Sequence, residues 1–320
     1  MNKNKLMTEI KRKVSNMEDK KEKLPNTRIQ WYPGHMAKTK KQIIEDLKLI
    51  DVVVEILDAR LPKASQNPEL QEWTKSKRKI IILNKSDLAD EKVNKEWLEY
   101  YKKKNIPAIL TDSNSGKGIR EAISEIERIS KEENEQAIKK GRTGKQTRVM
   151  IVGIPNVGKS SFINRVTKRT SATVGNRPGV TKQKQWISLK NGISLLDTPG
   201  ILWPKLDQEK EALNLAFVGT IKDDIIQRID VAYYLLKYLL ENKIQNLLER
   251  YNLDKNEINN ILDNKDRMEN ENILEIMHLI GRKRGAILQG NNVDEEKTAN
   301  LLLDEFRSGK IGRISLERPE

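Results

Sequence analysis

Cysteine is absent from the 320 residues, which excludes disulfides, thiolate zinc sites and a cysteine nucleophile and makes an intracellular protein the expectation. No apolar run approaches the roughly 18 residues that a membrane-spanning helix needs. The first residues also lack the apolar core of a secretion signal, so the expected location is the cytoplasm, away from any membrane. No internal repeat is visible. Acidic residues are in short supply: 60 Lys and Arg face 46 Asp and Glu, a net charge of +14. A surplus of that size suits a polyanion such as nucleic acid, or reflects no more than a lysine-rich exterior. What is present is ordinary for a globular chain, with 37% hydrophobic residues beneath a surface rich in the 33% that are charged.

The length exceeds the ~100–150 residues of a common domain, so two domains are expected. Residues 1–28 carry Lys3, Lys5, Lys11, Arg12, Lys13, Lys20, Lys21, Lys23 and Arg28 among few apolar positions, the pattern of a mobile basic arm. From residue 29 to 204 apolar runs alternate with helical periodicity. Strands are predicted over Asp51–Asp58, Lys79–Asn84, Ile106–Thr111 and Thr147–Val152, with helices over 36–49, 90–104, 117–138 and from Gly158 onward. Such alternation predicts an α/β fold whose parallel sheet is covered on both faces. Gln183–Leu189 and Gly192–Leu196 read as a two-stranded ribbon. After Pro204 the strand signal ends, and Ile225, Ile229, Ala232, Leu236 and Leu239 fall at helical spacing. Residues 205–320 are therefore expected to form an all-helical domain, with further helices at 209–218, 271–281 and 294–307.

The most specific motif is GIPNVGKS at 153–160, a G-x4-G-K-S/T phosphate loop between a predicted strand and a predicted helix. Backbone N–H groups from Asn156, Val157, Gly158, Lys159, Ser160 and Ser161 are placed to wrap phosphates, with the helix dipole behind them. Lys159 is the expected partner of β and γ oxygens, and Ser160 the expected Mg2+ ligand. Asp197-Thr198-Pro199-Gly200 ends a later strand, where Asp197 would hold Mg2+ through water and the Gly200 N–H would sense a γ-phosphate. Taken alone, that tetrapeptide is also an ordinary strand-ending turn.

Asn84-Lys85-Ser86-Asp87 closes the strand KIIILN and resembles the guanine-reading N-K-x-D element of GTPases. In that reading Asp87 accepts the guanine N1–H and exocyclic amine, a pair adenine does not offer. Lys85 lies along the base and Asn84 ties this loop to the phosphate loop. Thr111–Gly118 resembles the loop that backs the base, with Ser113 aligned and Asn114 where alanine is usual. Both base-reading segments precede the phosphate loop, the reverse of the ordinary order. A sheet tolerates this permutation when old termini are joined and a loop is opened elsewhere.

Permuted order, the opening Ile29-Gln30-Trp31-Tyr32-Pro33-Gly34-His35-Met36-Ala37-Lys38, and Asp58-Ala59-Arg60-Leu61-Pro62 before Asn67-Pro68 together resemble the circularly permuted GTPases of ribosome assembly, in particular their bacterial ribosome biogenesis GTPase A group. The resemblance spans about 29–318. It implies a P-loop GTPase that hydrolyses GTP to GDP with Mg2+, binds the precursor of the large ribosomal subunit and its rRNA, and couples hydrolysis to a late assembly step and to its own release. It implies a monomer off the ribosome. By the same resemblance Thr181 completes the Mg2+ shell or is an ordinary loop threonine, Asn156 holds K+ near the phosphates or merely shapes the loop, and His35 guides the attacking water or merely caps or packs at the start of a helix. Ile201 stands where many GTPases carry a glutamine. Trp31 suits either packing or RNA stacking. Basic stretches at 139–148 and Arg282-Lys283-Arg284 are candidates for RNA phosphate contact or simple solvated faces.

Overall fold

In the central strands β1 (Val52–Asp58) and β2 (Arg78–Asn84), β-branched and leucine side chains fill both sheet faces, so every residue of β1 is buried. That two-sided burial requires helical layers above and below. The computed structural model describes residues 34–139, 141, 146–170, 173–174, 185–189, 192–200, 209–221, 227–265 and 267–320. They fall into two units. The first contains 34–200 together with Arg313–Glu320; the second lies within 209–312.

The first unit is built on one seven-stranded sheet. Its remaining strands are β3 (Ala108–Leu110), β4 (Thr147–Val152), β5 (Thr173–Val174), β6 (Gln185–Leu189) and β7 (Ile193–Asp197), in the spatial order β3-β2-β1-β4-β7-β6-β5. The first five in that order are parallel, while β6 pairs antiparallel with β7 and β5 antiparallel with β6. The sheet is thus mixed, with the expected parallel arrangement running from the β3 edge through β7.

One face is covered by α1 (Gly34–Leu47), α2 (Pro68–Trp73) and α3 (Glu91–Lys103). Ile43 and Leu47 of α1 and Leu70 of α2 pack with Val53, Met150, Val152 and Leu196. Val93, Trp97 and Tyr101 of α3 pack with Leu57, Ile81 and Leu83. The other face carries α4 (Ile119–Lys139) over β2 and β4, and α5 (Lys159–Thr170) over β6 and β7. Cores of this kind contribute about 25 cal/mol per Å2 of apolar surface removed from water.

The second unit is helical: α6 (Glu209–Phe217), α7 (Arg228–Asn242), α8 (Ile244–Tyr251), α9 (Lys255–Leu262), α10 (Glu269–Lys283) and α11 (Glu295–Arg307). Leu235, Leu236 and Leu239 of α7 and Leu302 and Phe306 of α11 are buried, and Phe306 meets Phe217 edge to face at 6.5 Å. The helical domain expected over 205–320 differs from this unit at its end, because Arg313–Glu320 belongs to the first unit. Periodicity is silent there: eight residues carrying Ile314 and Leu316 buried between polar neighbours hold too few apolar positions to reveal a destination.

Candidate nucleotide site

The five parallel strands end on the same edge, with Asp58, Asn84, Leu110, Val152 and Asp197 as their last residues. From β1 the chain moves outward to β2 and β3, whereas from β4 it moves the other way to β7. The crevice between β1 and β4 is therefore a topological switch point, the place where open α/β sheets bind ligands. The Asp58–Pro62, Asn84–Asp87, Thr111–Gly118, Gly153–Ser160 and Asp197–Gly200 motifs all leave the sheet at this edge.

The phosphate loop joins β4 to α5. Asn156 takes a left-handed conformation at φ 61° and is exposed, Val157 is fully buried, and Ser160 and Ser161 are exposed in the first turn of α5. Lys159 is buried, with Nζ donating to the carbonyls of Gly153 at 3.0 Å and Ile154 at 2.8 Å. Burial pushes its ammonium down to about 8, against the opposing pull of the Asp197 carboxylate. Two glycines let the loops close on one another. Gly158 has φ 97°, and a Cβ there would lie 2.3 Å from Asn84 Nδ2; a Cβ on Gly200 would lie 2.8 Å from Lys159 Nζ and 2.9 Å from Pro155 N.

Asn84 is the junction of three loops. Its Nδ2 donates to the Val157 carbonyl at 2.8 Å, tying β2 to the phosphate loop. Its Oδ1 accepts from Ser113 N at 3.1 Å, Ser113 Oγ at 2.8 Å and Thr111 Oγ1 at 3.1 Å. The Ser113–Asn114 turn is held from the other side by Arg165 of α5, whose guanidinium donates to both their carbonyls, at 2.9 Å for Ser113. Asn114 N donates to Asp112 Oδ1 at 2.8 Å. Thus the Thr111–Gly118 loop, the Asn84–Asp87 turn and the Gly153–Ser160 loop form one hydrogen-bonded body.

Lys85 has φ 58°, and its Nζ reaches Asp58 Oδ2 at 3.0 Å. Asp58 is also gripped by Arg60, through Nε at 2.9 Å and a terminal nitrogen at 2.7 Å. Both partners are about 2% exposed. Burial alone would raise the Asp58 carboxyl, yet Arg60 and Lys85 hold it well below the usual carboxylate range. Asp87 is exposed on the loop. Partial burial and the nearby Asp112 carboxylate push its pKa up from 3.8, while Arg60 and Arg313 oppose the shift.

Asp197 is buried at the end of β7, opposite Ile151 of β4, and Thr198 Oγ1 donates to the Ile151 carbonyl at 2.6 Å. The Ser160 hydroxyl, in the first turn of α5, and the Asp197 carboxylate, at the end of β7, are hard oxygen donors. That set fits Mg2+, which takes one or two protein oxygens and completes its shell with phosphate and water.

The remaining candidates separate. His35 is the second residue of α1. His278 Nε2 lies 3.0 Å from Glu295 Oε1, joining α10 to α11 within the helical unit. Thr181, Ile201, Trp31 and the basic arm lie outside the described residues. Arg284 is committed to internal contacts, stacking over Tyr251 at 5.1 Å and donating to the Arg250 carbonyl at 3.1 Å, whereas Arg282 and Lys283 are exposed. Three further residues shape these loops without the sequence marking that role. Asp58 and Arg60 were visible only as a motif, since their pairing needs the strand end that brings them together. Arg165 acts on residues far away in sequence, so no local pattern marks it.

Comparison with known proteins gives a consistent picture. A family model described as "50S ribosome-binding GTPase" matches residues 148–277. Ribosome biogenesis GTPase A of Bacillus cereus is 44% identical over 292 residues, covering 91% of this chain and 94% of the relative. The protein of the same name from Priestia megaterium is also 44% identical, over 91% of this chain and 97% of its own. The GNP-bound crystal structure of YlqF from T. maritima superposes with a TM-score of 0.60 at 31% identity, covering 88% of this chain and 99% of that one. With such identity along nearly its whole length, and with the phosphate and base loops joined through Asn84, this chain belongs to the ribosome biogenesis GTPase A family of circularly permuted GTPases and is a GTP hydrolase.

Proposed function

We propose that the protein binds the precursor of the large ribosomal subunit through rRNA, and that GTP hydrolysis drives a late assembly step and release. The observation that carries this reading is the 44% identity, over 91% of the chain, to a relative named for ribosome biogenesis. The net charge of +14 supports it, since cations supply most of the affinity for RNA phosphates. Exposed Arg282 and Lys283, followed by exposed Ile287 and Leu288, offer a mixed basic and apolar segment for such a partner.

In the nucleotide site, Asp87 reads the guanine edge, Asn84, Lys85, Ser113 and Asn114 frame the base, and Asn156 to Ser161 with Gly200 surround the phosphates. Ser160, Thr181 and Asp197 would hold Mg2+, which neutralises charge on the phosphate oxygens. Lys159 is the charged donor toward the leaving side. K+ at Asn156 would add a positive charge where other GTPases use an arginine, and His35 would orient water.

The test is GTP turnover in K+ and in Na+ buffer, alone and with immature large subunits, for the native protein and for His35→Ala. Stimulation by the subunits that falls in Na+ and in the variant is the expected result. Equal turnover with and without subunits would overturn the assembly role.

A further inference from the structure

We infer that the C-terminal octapeptide Arg313–Glu320 is a strap that sets the geometry of the guanine-reading loop, with Arg313 as a specificity-positioning residue. This rests on the reading of Asn84–Asp87 as the guanine element.

The strap holds the loop from both of its sides. Arg313 Nε donates to the Ala89 carbonyl at 2.8 Å, and a terminal nitrogen of the same guanidinium donates to the Ser86 carbonyl at 3.2 Å. Between these, Ile314 N donates to the Leu88 carbonyl at 2.9 Å. Three carbonyls bracketing Asp87 are therefore engaged by two consecutive residues of the strap. Asp90 N donates to Ser315 Oγ at 3.0 Å, closing the loop's far end.

On the other side, Leu316 N donates to the Arg60 carbonyl at 2.7 Å. Arg60 is the buried partner of Asp58, and Asp58 holds Lys85. Glu317 then accepts from Lys63 N at 2.9 Å and Ala64 N at 3.2 Å. Ile314 is 1% exposed and Leu316 7%, so the strap is seated by apolar burial as well as by hydrogen bonds.

The loop needs such a brace. Its first turn contains Lys85 at a left-handed φ of 58°, a conformation costly for a residue with a Cβ and kept only where surroundings over-determine it. A bidentate hydrogen bond from Asp87 to the base tolerates little error in the direction of its carboxylate. Peptide planes fixed on both sides of Asp87 supply that direction. A strap that merely closed the fold would not need the Arg313 guanidinium on two carbonyls of this loop.

The experiment compares native protein, Arg313→Ala, Arg313→Lys, a chain ending at Gly312, and Arg318→Ala. The last removes only an exposed ion pair with Glu96 at 3.0 Å. Dissociation constants for GDP, IDP and ADP are measured for each. IDP lacks the exocyclic amine, so the GDP to IDP ratio reports the second hydrogen bond of Asp87. Arg313→Ala is expected to weaken GDP about tenfold and to bring the GDP to IDP ratio toward unity. The truncation is expected to do at least as much, Arg313→Lys to recover part, and Arg318→Ala to match native. A GDP to IDP ratio within twofold of native in Arg313→Ala would overturn the proposal, whether or not the truncated chain folds. Native protein that binds ADP as tightly as GDP would instead sink the guanine reading on which it rests.

Discussion

Asn84→Ala is the substitution that tests the site's construction most severely. The side chain is 2% exposed and makes one donor bond and accepts three, all to groups on other loops. Truncation leaves the Val157 carbonyl and the Ser113 N–H without this partner inside a buried junction. Each buried orphan costs about 1–3 kcal/mol, and the lost bonds share partners and so do not add in full. A loss of about 3–4 kcal/mol is the sensible total, divided between folding and the ordering of the nucleotide loops. If a third to a half of it falls on binding, the GDP dissociation constant rises about tenfold. Asn84→Asp is the discriminating companion. It keeps an acceptor for Thr111 and Ser113 but sets a carboxylate oxygen against the Val157 carbonyl, so it should loosen the phosphate loop while sparing the base-backing loop. Equilibrium denaturation gives the stability share, and stopped-flow release of a fluorescent GDP gives the binding share. GDP release within threefold of native in Asn84→Ala, with stability also unchanged, would refute the junction's importance.

Other consequences follow from the charges. Asp58→Asn strips the buried Arg60 of its counter-ion and should lower stability by about 3–5 kcal/mol at pH 7, read by urea denaturation. Because the Asp58 carboxyl sits below its ordinary 3.8, its contribution in the native protein is complete above that pH and declines as the pH falls below it. Lys159, pushed down to about 8, binds fewer protons in the folded than in the unfolded chain between about 8 and 10.5, so this group makes stability rise with pH across that window. Phosphates should restore its charge. GDP binding at pH 8.5 is then expected to take up part of a proton, measured by calorimetry in two buffers of different ionisation enthalpy; no uptake would contradict the assignment. The raised Asp87 carboxyl predicts that GDP affinity begins to fall on acidification at a pH above the ordinary 3.8, and that Asp87→Asn removes this acid limb.

Much of this architecture is readable from residue order because strand runs such as KIIILN end directly in their motifs. Backbone direction alone then delivers Asn84, Gly153 and Asp197 to one edge of the sheet. The predicted helices at 90–104, 117–138 and 294–307 appear as Glu91–Lys103, Ile119–Lys139 and Glu295–Arg307 because their apolar positions repeat with helical period over several turns. Short elements escape that test. The six residues of α2 start at the Asn67 cap, whose Oδ1 accepts from Glu69 N at 2.9 Å, and β5 has only two residues. Helix α9, KNEINNIL, has a single buried side chain, Ile258, so its sequence looks like a loop. Arg165 and the Arg313 strap remain hidden for a different reason. The partners of Arg165 lie 51 and 52 residues away and those of Arg313 lie 224 and 227 residues away, and only the folded backbone brings them within reach.

A permuted sheet that still presents Asp87 to a guanine base must discriminate between guanine and xanthine through that one carboxylate. The most direct measurement is the preference of native and Asp87→Asn protein between GDP and XDP, by competition against a fluorescent guanine nucleotide. The native protein is expected to favour GDP and the variant to reverse the preference, by about a hundredfold or more overall, since the amide pairs with the xanthine edge that the carboxylate repels. Undiminished GDP preference in a folded Asp87→Asn protein would contradict that role of Asp87.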